Sequence, residues 1–169
     1  MGMELYLLRH AIAKPRSSRY EDDSKRPLTK EGRQKMAKNA EGMKNLGIAF
    51  NAVISSPYVR ARETAEIAVE VLKIKKPIQF CPNLVPDVPF DLLVDELKTK
   101  FSKAGQVILV GHEPHMSHFI SFLLTSGQQI SIDLKKGGLC CLTLPKITGP
   151  GGATLNWLLT PSQLQLMAR

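Results

Sequence analysis

Three short apolar runs in this chain each stop abruptly at a polar pair. MELYLL (residues 3–8) ends in Arg9-His10, AVI (52–54) in Ser55-Ser56, and VILV (107–110) in Gly111-His112. Short apolar runs without alternation are the pattern of strands buried on both faces, as in parallel sheets. Helical patterns separate them. Thr29 can cap a helix reaching Leu46, with Met36, Ala40 and Met43 at helical spacing and Gly47 as terminator. A second helix runs from Tyr58 to Leu72, with Ala61, Ala65, Ala68 and Leu72 on one face.

The rest of the chain follows the same rhythm. Pro77–Cys81 reads as a strand and Asp91–Phe101 as a helix, and Pro114 fits the first turn of a helix reaching Leu124. Leu139–Leu144 and Thr154–Leu159 read as closing strands on either side of a Gly-rich turn at 148–152. Residues 11–27 are polar, contain two prolines and read as a long loop, a kind of segment that is often functional. Alternating strands and helices predict an α/β fold with a mainly parallel sheet. A length of 169 residues fits one domain over 1–169, large enough to bury a core without staples.

Composition narrows the function classes. No apolar run approaches the ~20 residues of a membrane span. The start, MGMELYLLRH, lacks the basic and long apolar regions of a signal peptide, so a cytoplasmic protein with no membrane partner is expected. Cys81, Cys140 and Cys141 make an odd count and sit in apolar surroundings, so they read as buried thiols rather than a disulfide or metal site. The net charge of +8 favours an anionic partner: nucleic acid, an acidic protein, or phosphate. The basic residues are dispersed, with no aromatic RNA-binding motif and no zinc-finger spacing, which argues against nucleic acid.

The polar strand ends carry the chemistry. Open α/β sheets bind ligands beyond the carboxyl ends of their strands. If the three strands are parallel neighbours, His10, His112 and the start of the Tyr58 helix converge on one edge. Arg60 lies in the first turn of that helix, and a helix N-terminus with an arginine attracts an anion. The expectation from the residues alone is two histidines and at least two arginines around an anion.

Four segments resemble one family. LLRHAIA (7–13), RPLTKEG (26–32), SPYVRARET (56–64) and VGHEP (110–114) are similar, in order and spacing, to the motifs of the histidine phosphatase (phosphoglycerate mutase-like) superfamily, in its small SixA-type phosphohistidine phosphatase branch. The resemblance implies a three-layer α/β/α sandwich with a mainly parallel, mixed central sheet and no large cap insertion. It implies that His10 attacks phosphorus, that Arg9, Arg60 and His112 hold phosphate oxygens, and that Arg26 completes the pocket. Ala11 departs from the family's usual glycine, adding a methyl group and restricting the backbone there.

These roles are chemically coherent. A neutral imidazole is a competent nucleophile near neutral pH, provided one ring nitrogen stays free while the other donates, ideally to a backbone carbonyl. Guanidinium groups bind the spreading charge of a transferring phosphoryl group in a fixed fork. The leaving-group acid is not fixed by any motif. Candidates are Asp23 in the first loop, Asp87 in NLVPDVP, and Glu113 beside His112. An imidazole leaving group needs less acid assistance, which fits a phosphohistidine substrate.

Other residues have plainer readings. His112, His115 and His118 form HxxHxxH, but no carboxylate or cysteine motif completes a metal site. His115 and His118 therefore read as helix-face or pocket-rim residues, and neither metal nor cofactor is expected. Arg62 points away from Arg60, toward a salt bridge or solvent. Lys14, Arg16 and Arg19 read as a charged loop, and Lys135-Lys136 as a solvated pair. Ser56 and Thr64 support the site or cap a helix.

The expected function is a metal-independent phosphatase acting on phosphohistidine in a phosphorylated signalling protein, such as a His-containing phosphotransfer domain. The link between the Tyr58 helix and the Val107 strand is short, and a site without a cap is open to a protein surface. The alternatives are a phosphatase of a small phosphoester and, in another class, a non-catalytic phospho-ligand-binding module. Mutase activity is least favoured, because it must shield its intermediate from water.

Overall fold

The computed structural model describes residues 2–169. In chain order the elements are β1 (Met3–Arg9), α1 (Lys30–Asn45), β2 (Ala52–Ser55), α2 (Val59–Leu72), β3 (Ile78–Phe80), α3 (Phe90–Phe101), β4 (Gln106–Gly111), α4 (His115–Leu124), β5 (Leu139–Leu144), β6 (Thr154–Leu159) and α5 (Pro161–Met167). The strands form one sheet in the order β3-β2-β4-β1-β5-β6. β1 to β4 run parallel, while β5 and β6 pair antiparallel. The sheet is therefore mixed, as expected.

Two apolar layers explain the unbroken apolar runs. Leu5, Leu7, Val107 and Leu109 pack with buried residues of α3 and α4 on one face. Tyr6, Leu8, Ile108 and Val110 pack with α1, α2 and α5 on the other. Successive strand residues point to opposite faces, so a strand covered on both sides must be apolar at every position. Residues 73–105 are taken up by β3, a 3-10 turn at Pro82–Leu84 and α3, so no cap interrupts the sandwich. No helix among the described residues is long and apolar enough to cross a membrane.

Boundaries differ from expectation in small ways. Tyr58 is the N-cap of α2, and Pro114 is the N-cap of α4 rather than part of its first turn. The 11–27 loop contains 3-10 turns at Ser18–Tyr20 and Asp23–Lys25, and a bridge between Ala13 and Leu28. α5 had no counterpart in the sequence reading. It has seven residues and buries only Leu164, too little for a periodic signal, although Thr160 and Gln163 form a capping box at its start. The three cysteines are buried and unpaired.

Thr29 caps α1 by accepting from the Gly32 amide at 2.9 Å. Gly32 also lets α1 lie against the residues after β1. A Cβ there would sit 2.1 Å from the Ile12 carbonyl oxygen, so only glycine permits this approach. α1 is thereby fixed two residues beyond His10.

Candidate active site

The parallel registers align the three strand ends. Arg9 pairs with Gly111 and Ser55 with Val110. The backbone ladder continues one step further, with the His10 amide donating to the Gly111 carbonyl (3.0 Å) and the Ser56 amide to the Val110 carbonyl (2.9 Å). As a result the His10 and His112 rings lie with centroids 5.2 Å apart, and Tyr58 tilts against His112 at 5.0 Å.

Hydrogen bonds identify the free nitrogen of His10. Nδ1 lies 2.7 Å from the Ala11 carbonyl, and a carbonyl can only accept, so Nδ1 carries the proton. On the other side of the ring, Arg60 Nε donates to Nε2 across 3.3 Å. Nε2 therefore presents its lone pair to the cationic side of the site. Burial is the main reason the His10 pKa falls to about 3; the Ala11 hydrogen bond opposes this, and the charges of Arg60 and Arg9 reinforce it. Burial likewise lowers His112 to about 2, with His10 and Arg60 adding to the effect. Both rings are neutral near pH 7.

Arg60 is nearly enclosed, at 3% exposure. Its Nη1 donates to the Asp23 carbonyl (2.7 Å), its Nη2 meets Asp23 Oδ2 (2.9 Å), and the guanidinium lies 5.2 Å from the Tyr58 ring centroid. Arg26 Nε meets Asp23 Oδ1 at 3.0 Å, its Nη1 donates to the Lys14 carbonyl, and Arg16 Nε approaches the same Asp23 oxygen at 3.2 Å. One carboxylate thus gathers three guanidiniums. Burial alone would raise the Asp23 pKa, but Arg60, Arg26 and Arg16 outweigh it and hold the carboxyl below its usual range. Asp23 is ionised here and acts as an acceptor. Arg16, assigned to an ordinary charged loop, is in fact part of this cluster.

The remaining expected residues occupy distinct positions. Arg9 donates from Nη1 to the Leu134 carbonyl (2.9 Å), and its buried Nε has no partner among the described residues. His112 Nε2 lies 2.8 Å from Ser56 Oγ, so Ser56 steadies the second histidine while also capping toward the Tyr58 amide. Glu113 Oε1 accepts from the Ser117 amide at 3.0 Å and so caps α4. Asp87 lies exposed in the loop before α3 with a left-handed backbone (φ 67°).

His115 and His118 both lie on α4 and line a cavity with Asp87 and Phe90; His115 is buried, with Nε2 at 3.1 Å from the Val88 carbonyl, and His118 is exposed. Among the described residues, no group of three or more His, Cys, Asp or Glu side chains is arranged to hold a metal. Arg62 pairs with Glu66 on the outer face of α2.

Thr64 supports the site as expected, and Glu63 and Tyr58 emerge as further supporting residues only in three dimensions. Thr64 Oγ1 accepts from the Ala11 amide (3.0 Å) and donates to the Arg60 carbonyl (2.7 Å), so it couples the His10 loop to α2. Glu63 accepts from the Leu28 amide at 2.8 Å and pairs with Arg33, tying the RPLT segment to the same helix. Tyr58 packs on both His112 and Arg60. The sequence signal for Glu63 and Tyr58 was their place inside the SPYVRARET segment alone.

A family model for the histidine phosphatase superfamily (branch 1) matches residues 5–85. An uncharacterised protein from Picosynechococcus sp. is 31% identical over 138 residues, covering 81% of this chain and 82% of that protein. Phosphohistidine phosphatase SixA of Escherichia coli is 23% identical over 165 residues, covering 97% and 98%. The solved structure of the protein histidine phosphatase SixA complexed with tungstate superposes with a TM-score of 0.83 at 23% identity, covering 96% of this chain and 99% of that one.

Proposed function

From its place in the histidine phosphatase superfamily, to which this chain belongs, we propose that it is a metal-independent phosphatase that uses His10 as nucleophile and removes phosphate from phosphohistidine on a protein. The observation that carries this reading is the state of His10. Its Nδ1 proton is held by the Ala11 carbonyl, and its Nε2 is left unprotonated, with a lone pair that accepts only a long contact from Arg60 Nε.

The chemistry runs in two displacements. The Nε2 lone pair attacks phosphorus, an N–P bond forms, and the bond from phosphorus to the leaving nitrogen breaks. The leaving imidazole takes its proton from water. A water molecule then attacks the phosphoryl group on His10, releasing inorganic phosphate and the free imidazole. Arg60, Arg9 and Arg26 offset charge on the phosphoryl oxygens, and His112, steadied by Ser56, contributes a ring nitrogen to the same oxygens. Asp23 is ionised, Glu113 caps α4 and Asp87 lies exposed in the loop before α3, which supports a reaction that needs none of the three as an acid. That favours a leaving imidazole over a poor alkoxide. The uncapped sandwich leaves room for a protein partner.

The test uses a phosphorylated His-containing phosphotransfer domain, a chromogenic aryl phosphate and a panel of phosphometabolites. Turnover of the phosphodomain above the panel, and an acid-labile, base-stable phosphoryl group trapped on the parent but not on His10→Ala, are expected. Full activity in His10→Ala would overturn the mechanism. Preference for one phosphometabolite would replace the protein substrate with a small phosphoester, and turnover of nothing would leave a phospho-ligand-binding module.

A further inference from the structure

A second concave surface adjoins the catalytic groups, and of the charged side chains that line it the two displacements use Arg9 alone. A cavity of about 490 Å3 opens between α1, α5 and the 134–138 segment. Its polar lining includes Arg9, Lys35, Asn39, Lys135, Lys136 and Gln165, with Ile12 and Met36 among its apolar residues. It is lined by four cations and by no Asp or Glu.

These cations are poorly neutralised. Lys35 pairs with Glu31 and Lys135 with Asp133, but both pairs are solvent-exposed and so weak and easily screened. Lys136 and Arg9 form no salt bridge among the described residues, and Arg9 Nε is buried without a partner.

The wall that carries Lys135 and Lys136 is held in place rather than loose. The Arg9 amide donates to the Gly138 carbonyl and the Gly137 amide to the Arg9 carbonyl (3.2 and 3.0 Å). Asn39 Nδ2 donates to the Gly137 carbonyl at 3.0 Å, and Gln165 Nε2 donates to Asn39 Oδ1 at 2.8 Å. The lysine pair that reads as merely solvated in the sequence is therefore mounted on a fixed rim. Preorganised charge of this kind binds anions without the cost of ordering a loop.

The cavity shares its wall with the reaction centre. Arg9 precedes His10, and Ala11, whose carbonyl holds His10 Nδ1, also lines the cavity. The charges of Arg9 and Lys136 both reach His10. A substrate group in the cavity would thus lie next to the phosphoryl-bearing residue.

We propose that this cavity is a specificity subsite that receives carboxylate side chains flanking the phosphohistidine of the protein substrate. The assignment rests on the phosphohistidine reading above. The volume falls within the ~300–1,000 Å3 range of ligand sites, enough for more than one side chain. The apolar residues suit the methylene stems of Glu, and the cationic rim suits the carboxylates.

The test compares two synthetic phosphohistidine peptides, one with glutamates on both sides of the phosphohistidine and one with glutamines. The parent is expected to turn over the acidic peptide with kcat/KM about tenfold higher, the scale of one or two partly exposed charge pairs. Lys35→Glu should bring that ratio to one or below, and raised salt should lower it in the parent. Because the result is a ratio, the glutamine peptide controls for folding within each preparation, and Lys35→Gln serves if the reversal does not fold. Equal rates on both peptides in the parent, or a ratio that Lys35→Glu leaves unmoved, would overturn the subsite alone. Turnover of neither peptide while an aryl phosphate is hydrolysed would overturn the phosphohistidine reading and the subsite with it.

Discussion

Arg60 and Asp23 meet through two contacts, Nη2 to the carboxylate at 2.9 Å and Nη1 to the same residue's carbonyl at 2.7 Å. Both terminal nitrogens of Arg60 are thus already bonded to Asp23, while its Nε faces His10. A substrate phosphoryl group must compete with that carboxylate for Arg60.

This competition yields the first prediction. Asp23→Asn keeps an oxygen that can accept from Arg60 but removes the charge. Inorganic phosphate should then bind two- to tenfold more tightly, the scale of a partly exposed charge interaction. Turnover of phosphohistidine should change by less than about threefold. A general acid at this position would instead cost on the order of 10²–10⁴ in rate. Product-inhibition constants and kcat for the two proteins separate the roles.

Arg60→Lys should be far from conservative. The arginine donates to His10, to the Asp23 carbonyl and to the Asp23 carboxylate, and lies over Tyr58. A single ammonium cannot reproduce that planar fork. A fall in kcat/KM of about 10²–10³ is expected, typical of losing one preorganised charge-stabilising donor. Retention of more than a third of the parent's kcat/KM would contradict the assignment.

The buried histidines make the fold acid-sensitive. His10 is held down to about 3 and His112 to about 2 in the folded protein, chiefly by burial, against an ordinary value near 6.5. Above pH ~6.5 neither the folded nor the unfolded chain protonates them, so their effect on stability is nil there. Below ~6.5 the unfolded chain takes up protons that the folded chain refuses, and stability falls until the folded values are reached. Each ring contributes a slope approaching ~1.4 kcal/mol per pH unit in that window. Urea unfolding at pH 7 and pH 5 should show a loss of about 3–4 kcal/mol from the two together. A loss of about half that size would show that one ring titrates normally, and an unchanged unfolding free energy that both do.

Gly32→Ala should damage both stability and catalysis. The new Cβ would stand 2.1 Å from the Ile12 carbonyl oxygen, which is backbone and cannot rotate away. Overpacking of this kind costs ~1–3 kcal/mol. In a chain of this size that lowers Tm by roughly 2–4 °C per kcal/mol. Because Ile12 follows His10 by two residues, kcat should fall as well. Calorimetry together with kcat measured well below Tm checks both parts.

Much of this protein was legible in one dimension, for a physical reason. Strands covered on both faces must be apolar throughout, so β1, β2 and β4 stood out as runs, and their polar ends marked His10, Ser56 and His112. Thr29 and Gly47 bounded α1 because caps and left-handed positions select residue type locally. By contrast, α5 is short and buries one residue, so it left no periodicity to read.

The order of motifs along the sequence determined which groups could act, namely a histidine at the end of the first strand, arginines near it in space and a second histidine at a parallel strand end. Only the tertiary structure decided their states. The Ala11 carbonyl selects the His10 tautomer, Asp23 is drawn into the arginines as an ionised acceptor, and Lys35, Lys135 and Lys136 are gathered from distant segments around one cavity. Ionisation and field depend on distances of a few ångströms between residues tens of positions apart, and even the contact between neighbours His10 and Ala11 depends on how the chain turns after β1. Those distances arise when the sheet registers and helices pack, and no local pattern encodes them.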